Sequence, residues 1–189
     1  MGWEELAAQV ASCQLCPLCA GRTRTVFGAG DPNARLMFIG EGPGYDEEQQ
    51  GIPFVGKAGQ LLTKMILAMQ YTREEVYIAN IVKCRPPENR NPEPAEAAAC
   101  LPYLHRQIEL VKPEVIVVLG AVPLRELLGG RSITRERGQW RDYQGIAVMP
   151  TFHPSYLLRV QTAKREAWAD LQEVMRRLGK DPASTPTQR

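Results

Sequence analysis

Residues 36–44 read Leu-Met-Phe-Ile-Gly-Glu-Gly-Pro-Gly. The apolar run from Leu36 to Ile39 is too short for a helix and has no polar alternation, the pattern of a strand buried on both faces of a sheet. Gly40-Glu41-Gly42-Pro43-Gly44 then turns the chain at the strand's carboxyl end and offers free backbone N–H groups beside one carboxylate. It is not a phosphate loop. The segment running on through Phe54-Val55-Gly56-Lys57-Ala58-Gly59 lacks a Gly-Lys-Ser/Thr ending, and it lacks the Gly-x-Gly-x-x-Gly spacing of dinucleotide sites.

Outward from this stretch, Val76 to Ile81, Val115 to Leu119 and Ile146 to Met149 read as three more buried strands. The intervening segments have helical periodicity. Ala58 to Met69 aligns Leu61, Leu62, Met65, Ile66 and Met69, and Ala95 to Val111 aligns Leu101, Leu104, Ile108 and Val111. Pro123 suits the first turn of a helix running to Leu128, and Lys164 to Leu178 buries Trp168, Leu171, Met175 and Leu178 as a closing helix. Alternation of strand and helix with right-handed crossovers predicts the α/β class, as a three-layer α/β/α fold with a central four-stranded parallel sheet. We expect one domain over residues 1–178. Residues 179–189 have almost no apolar surface to bury and are expected to form a mobile tail.

The chain has 189 residues, 44% apolar, with no membrane-length apolar run and no basic-then-apolar signal from Met1, which leads us to expect a soluble intracellular protein. A formal charge of +2 says little about nucleic acid, so any DNA affinity must come from local clusters of Lys and Arg. Five cysteines without an export signal argue against a disulfide framework and toward metal binding or buried thiols.

Cys13-x2-Cys16 closes the first helix, with Cys84 after the second strand and Cys100 in the next helix; together they suit a thiolate metal site, although Cys16-x2-Cys19 is an equally good pair. This spacing is compatible with zinc and with an iron–sulfur cluster alike. Ligands in open parallel sheets bind at the carboxyl ends of the strands, where Glu41, Asn80 and His153 all fall. Three residues of this region also have an ordinary structural reading: Asn80 as a satisfied buried amide, Phe54 as core, His153 as a packing histidine. Their convergence on one sheet edge favours a site. There an Asn can read a base edge, a Phe can stack on it, and a histidine stiffened by Pro154 can aim a donor at an oxygen.

Five ordered motifs carry a specific resemblance: Cys13-x2-Cys16; Gly40-Glu41-Gly42-Pro43-Gly44; Pro53-Phe54-Val55-Gly56-Lys57-Ala58-Gly59; Asn80-Ile81-Val82-Lys83-Cys84-Arg85-Pro86-Pro87 with Cys100; and His153-Pro154-Ser155-Tyr156-Leu157-Leu158-Arg159. Between Cys13 and Leu178 the chain resembles the family 4 uracil-DNA glycosylases, the iron–sulfur members found in bacteria and archaea. The resemblance implies a DNA repair enzyme that flips uracil out of single- or double-stranded DNA and hydrolyses its N-glycosidic bond, leaving an intact abasic site. It implies a structural [4Fe–4S] cluster on Cys13, Cys16, Cys84 and Cys100, with Cys19 spare, pinning the loop from Lys83 to Pro94 against DNA.

By the same resemblance Phe54 stacks on the flipped base, Asn80 reads its edge, Glu47 blocks the thymine methyl, and His153 with the Gly42 N–H holds O2. Glu41 orients water or steadies the cationic sugar, Leu157 is the wedge, and Arg159, Arg85 and Arg90 contact phosphates. A covalently trapping relative carries a nucleophilic histidine in the loop after the Asn strand; Pro86-Pro87-Glu88-Asn89-Arg90-Asn91-Pro92 has none, which favours simple hydrolysis. We expect a cytoplasmic, nucleoid-associated monomer with no membrane partner. The rival readings are a non-catalytic iron–sulfur DNA-binding module and a zinc-stabilised nucleotide-binding domain.

Overall fold

A computed structural model describes residues 1–184. In chain order its helices and strands are α1 (Trp3–Ala11), α2 (Leu18–Gly21), β1 (Ala29–Gly30), β2 (Leu36–Gly40), α3 (Tyr45–Gln50), α4 (Lys57–Ala68), β3 (Tyr77–Asn80), α5 (Pro94–Val111), β4 (Val115–Leu119), α6 (Ala121–Leu128), α7 (Ile133–Glu136), β5 (Arg141–Tyr143), β6 (Ile146–Thr151), α8 (Pro154–Arg159) and α9 (Lys164–Arg177). The strands form one sheet in the order β1-β3-β2-β4-β6-β5. β3, β2, β4 and β6 are mutually parallel, as expected, and β1 and β5 close the two edges antiparallel. Those two edge strands, of two and three residues, were not expected; Arg141-Asp142-Tyr143 has no apolar run to betray it.

The period of two along each central strand builds the layers. Leu36, Phe38, Val115, Val117 and Leu119 face a core completed by Leu62 and Ile66 of α4 and by Leu171, Val174 and Met175 of α9. Met37, Ile39, Ile116 and Val118 face the other, completed by Leu104, Ile108 and Val111 of α5 and Val122 of α6. Both sheet faces are therefore covered, which is why these strands read as unbroken apolar runs. α5 starts on Pro94, with the Glu96 carboxylate accepting the Glu93 N–H at 2.8 Å in a capping box.

β2 continues through α4 to β3 on one side, and β3 returns through α5 to β4 on the other side of β2. That reversal opens a crevice at the carboxyl ends of β2, β3 and β4. Beyond α9, the Lys180 ammonium donates to the Gln70 carbonyl at 2.7 Å and lies 4.0 Å above the Tyr71 ring, while Gln70 Nε2 donates to the Asp181 carbonyl. The rest of the expected tail, residues 185–189, lies outside the described residues. No helix among the described residues is long and apolar enough to cross a membrane.

Candidate active site

A cleft of about 380 Å³ opens at the crevice, and Glu41, Gly42, Glu47, Phe54, Asn80 and His153 all line it, with Arg90 in its wall. Gly40 and Asn80 are register partners at the ends of β2 and β3. Gly40 must be glycine, since a Cβ there would come within 2.5 Å of both Asn80 Oδ1 and the Phe54 ring.

Asn80 is 2% exposed, and its Oδ1 is one of two buried side-chain polar atoms without a hydrogen-bond partner among the described residues. Such an orphan acceptor costs about 1–3 kcal/mol. Asn80 also lines the cleft, so an N–H donor bound there could satisfy this oxygen. Behind it, the buried Lys83 ammonium donates to the Asn80 carbonyl at 2.9 Å and to Gln107 Oε1 at 2.6 Å, fixing the end of the strand.

His153 caps α8. Its Nδ1 accepts the Ser155 N–H at 3.0 Å, with Ser155 Oγ at 2.7 Å. A backbone N–H can only donate, so the ring's proton sits on Nε2, and burial pushes the pKa down to about 4. His153 is thus a neutral imidazole that keeps an Nε2–H donor. Gly120, at φ +94, makes room for it: a side chain there would approach His153 Cβ to 2.9 Å. The ring lies 5.6 Å from that of Phe54, tilted by 34°. Ser155 stood inside a quoted motif without a role, and Gly120 carried no signal beyond being a glycine after a strand.

Burial raises the Glu41 carboxyl above its ordinary value, with Arg125 opposing it only in part. Glu47 is committed to backbone: its carboxylate accepts N–H groups from Gly44 (3.0 Å), Val55 (2.8 Å) and Gly56 (2.6 Å), tying the 40–44 turn to the 53–59 loop.

The expected DNA contacts divide. Arg159 is exposed at the carboxyl end of α8. Arg90 forms a two-pronged pair with Glu96 (2.8 and 3.0 Å), and Arg85 donates to Asn89 Oδ1 at 2.7 Å beside Glu48 and the Tyr45 ring. Both guanidiniums therefore hold the 85–96 loop in shape. Leu157 departs from the wedge expectation: it is 1% exposed and packs with Phe152, Ala163 and Ala167, so it cannot enter a base stack without leaving the core. The exposed leucine is its neighbour Leu158, at 40%.

Away from the cleft, Cys13, Cys16, Cys19, Cys84 and Cys100 all line one cavity between the 13–22 segment, the loop after β3 and α5. N–H groups point at the sulfurs: Arg22 Nη1 to Cys84 (3.4 Å), the Lys83 backbone to Cys100 (3.3 Å) and the Leu15 backbone to Cys13 (3.5 Å). Donors of this kind stabilise thiolates. Among the described residues no group of three or more His, Cys, Asp or Glu side chains could hold a metal ion. The five cysteines line that one cavity without converging into a ligand group for a single ion.

An α/β/α sheet thus carries a buried, unpartnered amide oxygen and a histidine donor on residues that line one cleft, and comparison with known proteins gives the family. The model of the uracil DNA glycosylase superfamily matches residues 27–172, and the chain belongs to that superfamily. Within it, the chain is similar to the type-4 uracil-DNA glycosylases of Thermotoga maritima (50% identical over 159 residues, 82% of this chain and 83% of that protein), Sulfurisphaera tokodaii (44% over 165 residues, 82% and 75%) and Saccharolobus solfataricus (41% over 187 residues, 94% and 87%).

Proposed function

We propose that this protein is a monofunctional uracil-DNA glycosylase, carrying out base excision repair through the residues of the 40–44 turn, Phe54, Asn80 and His153. One observation carries the reading: the unpartnered Asn80 Oδ1 and the Nε2–H of His153 line one cleft. Uracil presents an N3–H donor between two carbonyl acceptors. Asn80 accepts from N3–H and donates to O4, while His153 and the Gly42 N–H hold O2. Cytosine carries a lone pair at N3 and an amine at C4, so both of its contacts with Asn80 are mismatched. Phe54 stacks on the base, and Glu47 closes the wall against the thymine methyl.

In the reaction the C1′–N1 bond breaks with its electron pair passing to uracil, where charge collects on O2. A neutral donor held there strengthens as that charge grows. Water adds to C1′, its proton passing to Glu41, whose raised pKa makes it a better base than an ordinary carboxylate. As Glu41 gives its proton back to solvent the uracil anion takes one up, and the products are free uracil and an abasic site.

Activity is therefore expected to fall below neutrality along a limb set by Glu41, with a midpoint above the ordinary 4.5. His153, already neutral, adds nothing until about pH 4. The pH dependence of kcat in wild type and Glu41→Gln checks this; a limb near 6.5 that disappears with His153 would contradict it.

Leu158 takes over the role of wedge, filling the stack that the flipped base leaves. Leu158→Ala is expected to slow excision from duplex more than from single strands, whereas Leu157→Ala should lower stability by about 2–5 kcal/mol. Equal loss on both substrates for the Leu158 variant would sink the assignment.

Cys13, Cys16, Cys84 and Cys100 would hold a [4Fe–4S] cluster, with Cys19 spare. When bound, the cluster supplies a cross-link from the N-terminal segment to the 83–94 loop and takes no part in bond cleavage. Binding DNA as a monomer in the cytoplasm completes the reading. The purified protein should be brown, with about four irons per chain, and should release free uracil from a uracil-containing oligonucleotide. Colourless protein would contradict the cluster, and absence of free uracil would contradict the activity.

A further inference from the structure

We propose that Arg73 is a positioning residue that holds Phe54 as the base-stacking platform, working with Glu47 on opposite sides of a single peptide group. Phe54 has φ +55, the left-handed conformation that a side chain disfavours. Left to itself, this residue would relax toward negative φ and carry its ring out of the cleft. Arg73, in the loop between α4 and β3, donates from Nη2 to the Pro53 carbonyl at 2.7 Å and from Nη1 to the Phe54 carbonyl at 2.7 Å, with Thr63 Oγ1 at 3.3 Å. From the other side the Glu47 carboxylate accepts the N–H groups of Val55 and Gly56. The Phe54 carbonyl and the Val55 N–H belong to the same peptide, so that peptide is polarised between a guanidinium and a carboxylate.

Charge-assisted hydrogen bonds of this kind are stronger than those between neutral groups, and the planar fork of arginine matches two consecutive carbonyls as a lysine cannot. Two glycines leave the space. A side chain at Gly59 would collide with the Phe54 carbonyl, and one at Gly40 with the tip of the ring. Arg73 lines no part of the cleft. It acts on the base only through Phe54.

The inference rests on the uracil reading, and a double-mutant cycle with Phe54→Ala tests it separately. In the wild-type background Arg73→Ala should lower kcat/KM for uracil excision, and weaken inhibition by free uracil, on the order of tenfold or more; in the Phe54→Ala background it should cost less than about threefold. If the alanine variant fails to fold, Arg73→Lys, which retains the charge without the fork, enters the cycle in its place. Equal losses in both backgrounds, or unchanged free-uracil inhibition in a folded Arg73 variant, would overturn the role. Binding of free uracil is read by calorimetry in the same four proteins. The cycle therefore stands even on a wild type that binds uracil without excising it, a result that would overturn the functional reading alone.

Discussion

Replacing His153 with alanine is expected to lower kcat by about 10²–10³-fold while moving KM far less. The asymmetry follows from tautomer and charge. The Ser155 N–H occupies Nδ1, so the ring is a fixed Nε2–H donor, and its pKa of about 4 keeps it neutral at working pH. A neutral donor gains little from the uncharged O2 of bound uracil and much from the developing anion, so its loss falls on the transition state. The alanine variant also loses the contact with Phe54, and single-turnover rates on folded protein separate that packing loss from the chemistry. A variant with unchanged kcat and a raised KM would assign His153 to ground-state binding and remove it from catalysis.

The second large effect is on specificity. Asn80→Asp replaces an amide that donates and accepts with a carboxylate that only accepts when ionised. Against uracil it still accepts from N3–H but opposes O4 with like polarity; against cytosine it accepts from the C4 amine and, when protonated, donates to N3. We expect the uracil-over-cytosine ratio to fall by at least about 10²-fold, through loss on uracil together with new activity on cytosine. Paired oligonucleotides differing in that one base measure it. An unchanged ratio would mean that the Asn80 amide does not read the base edge and that its orphan oxygen serves some other purpose.

Much of this site was legible in the sequence because it hangs on the ends of strands that announce themselves. The runs 36–39, 115–119 and 146–149 are apolar on both faces, so the strands, and with them Glu41 and His153 just beyond, could be set in order before any coordinates. Short elements gave no such signal. β1, β5, α3, α7 and α8 are too brief for periodicity to emerge, and Leu157 and Leu158 stand side by side on a helix of six residues. Adjacent leucines point in different directions there, and only the packing of Phe152, Ala163 and Ala167 decides which one is inside. Arg73 was invisible for a different reason. Its role depends on reaching two carbonyls nearly twenty positions away, and a lone arginine in a polar loop has no local pattern.

Glu47 is the case between these. The resemblance placed it against the thymine methyl, and it does line the cleft, but the three backbone N–H groups it accepts could not be foreseen from spacing. The same carboxylate that is assigned to exclude a methyl also fixes the two loops that make the pocket. The five cysteines divide similarly: their gathering around one cavity followed from the motifs, whereas which four bind iron rests on the resemblance to the family.

Hydrolytic excision of uracil by this cleft can be tested in a single assay. Labelled oligonucleotides carrying a single uracil, thymine or cytosine are incubated with wild type and His153→Ala side by side, each divided into alkali-treated and untreated halves. Strand breaks are expected only at uracil, only after alkali, and strongly diminished in the variant. Breaks without alkali, breaks at thymine or cytosine in the wild type, or no breaks from a brown, folded protein would contradict it.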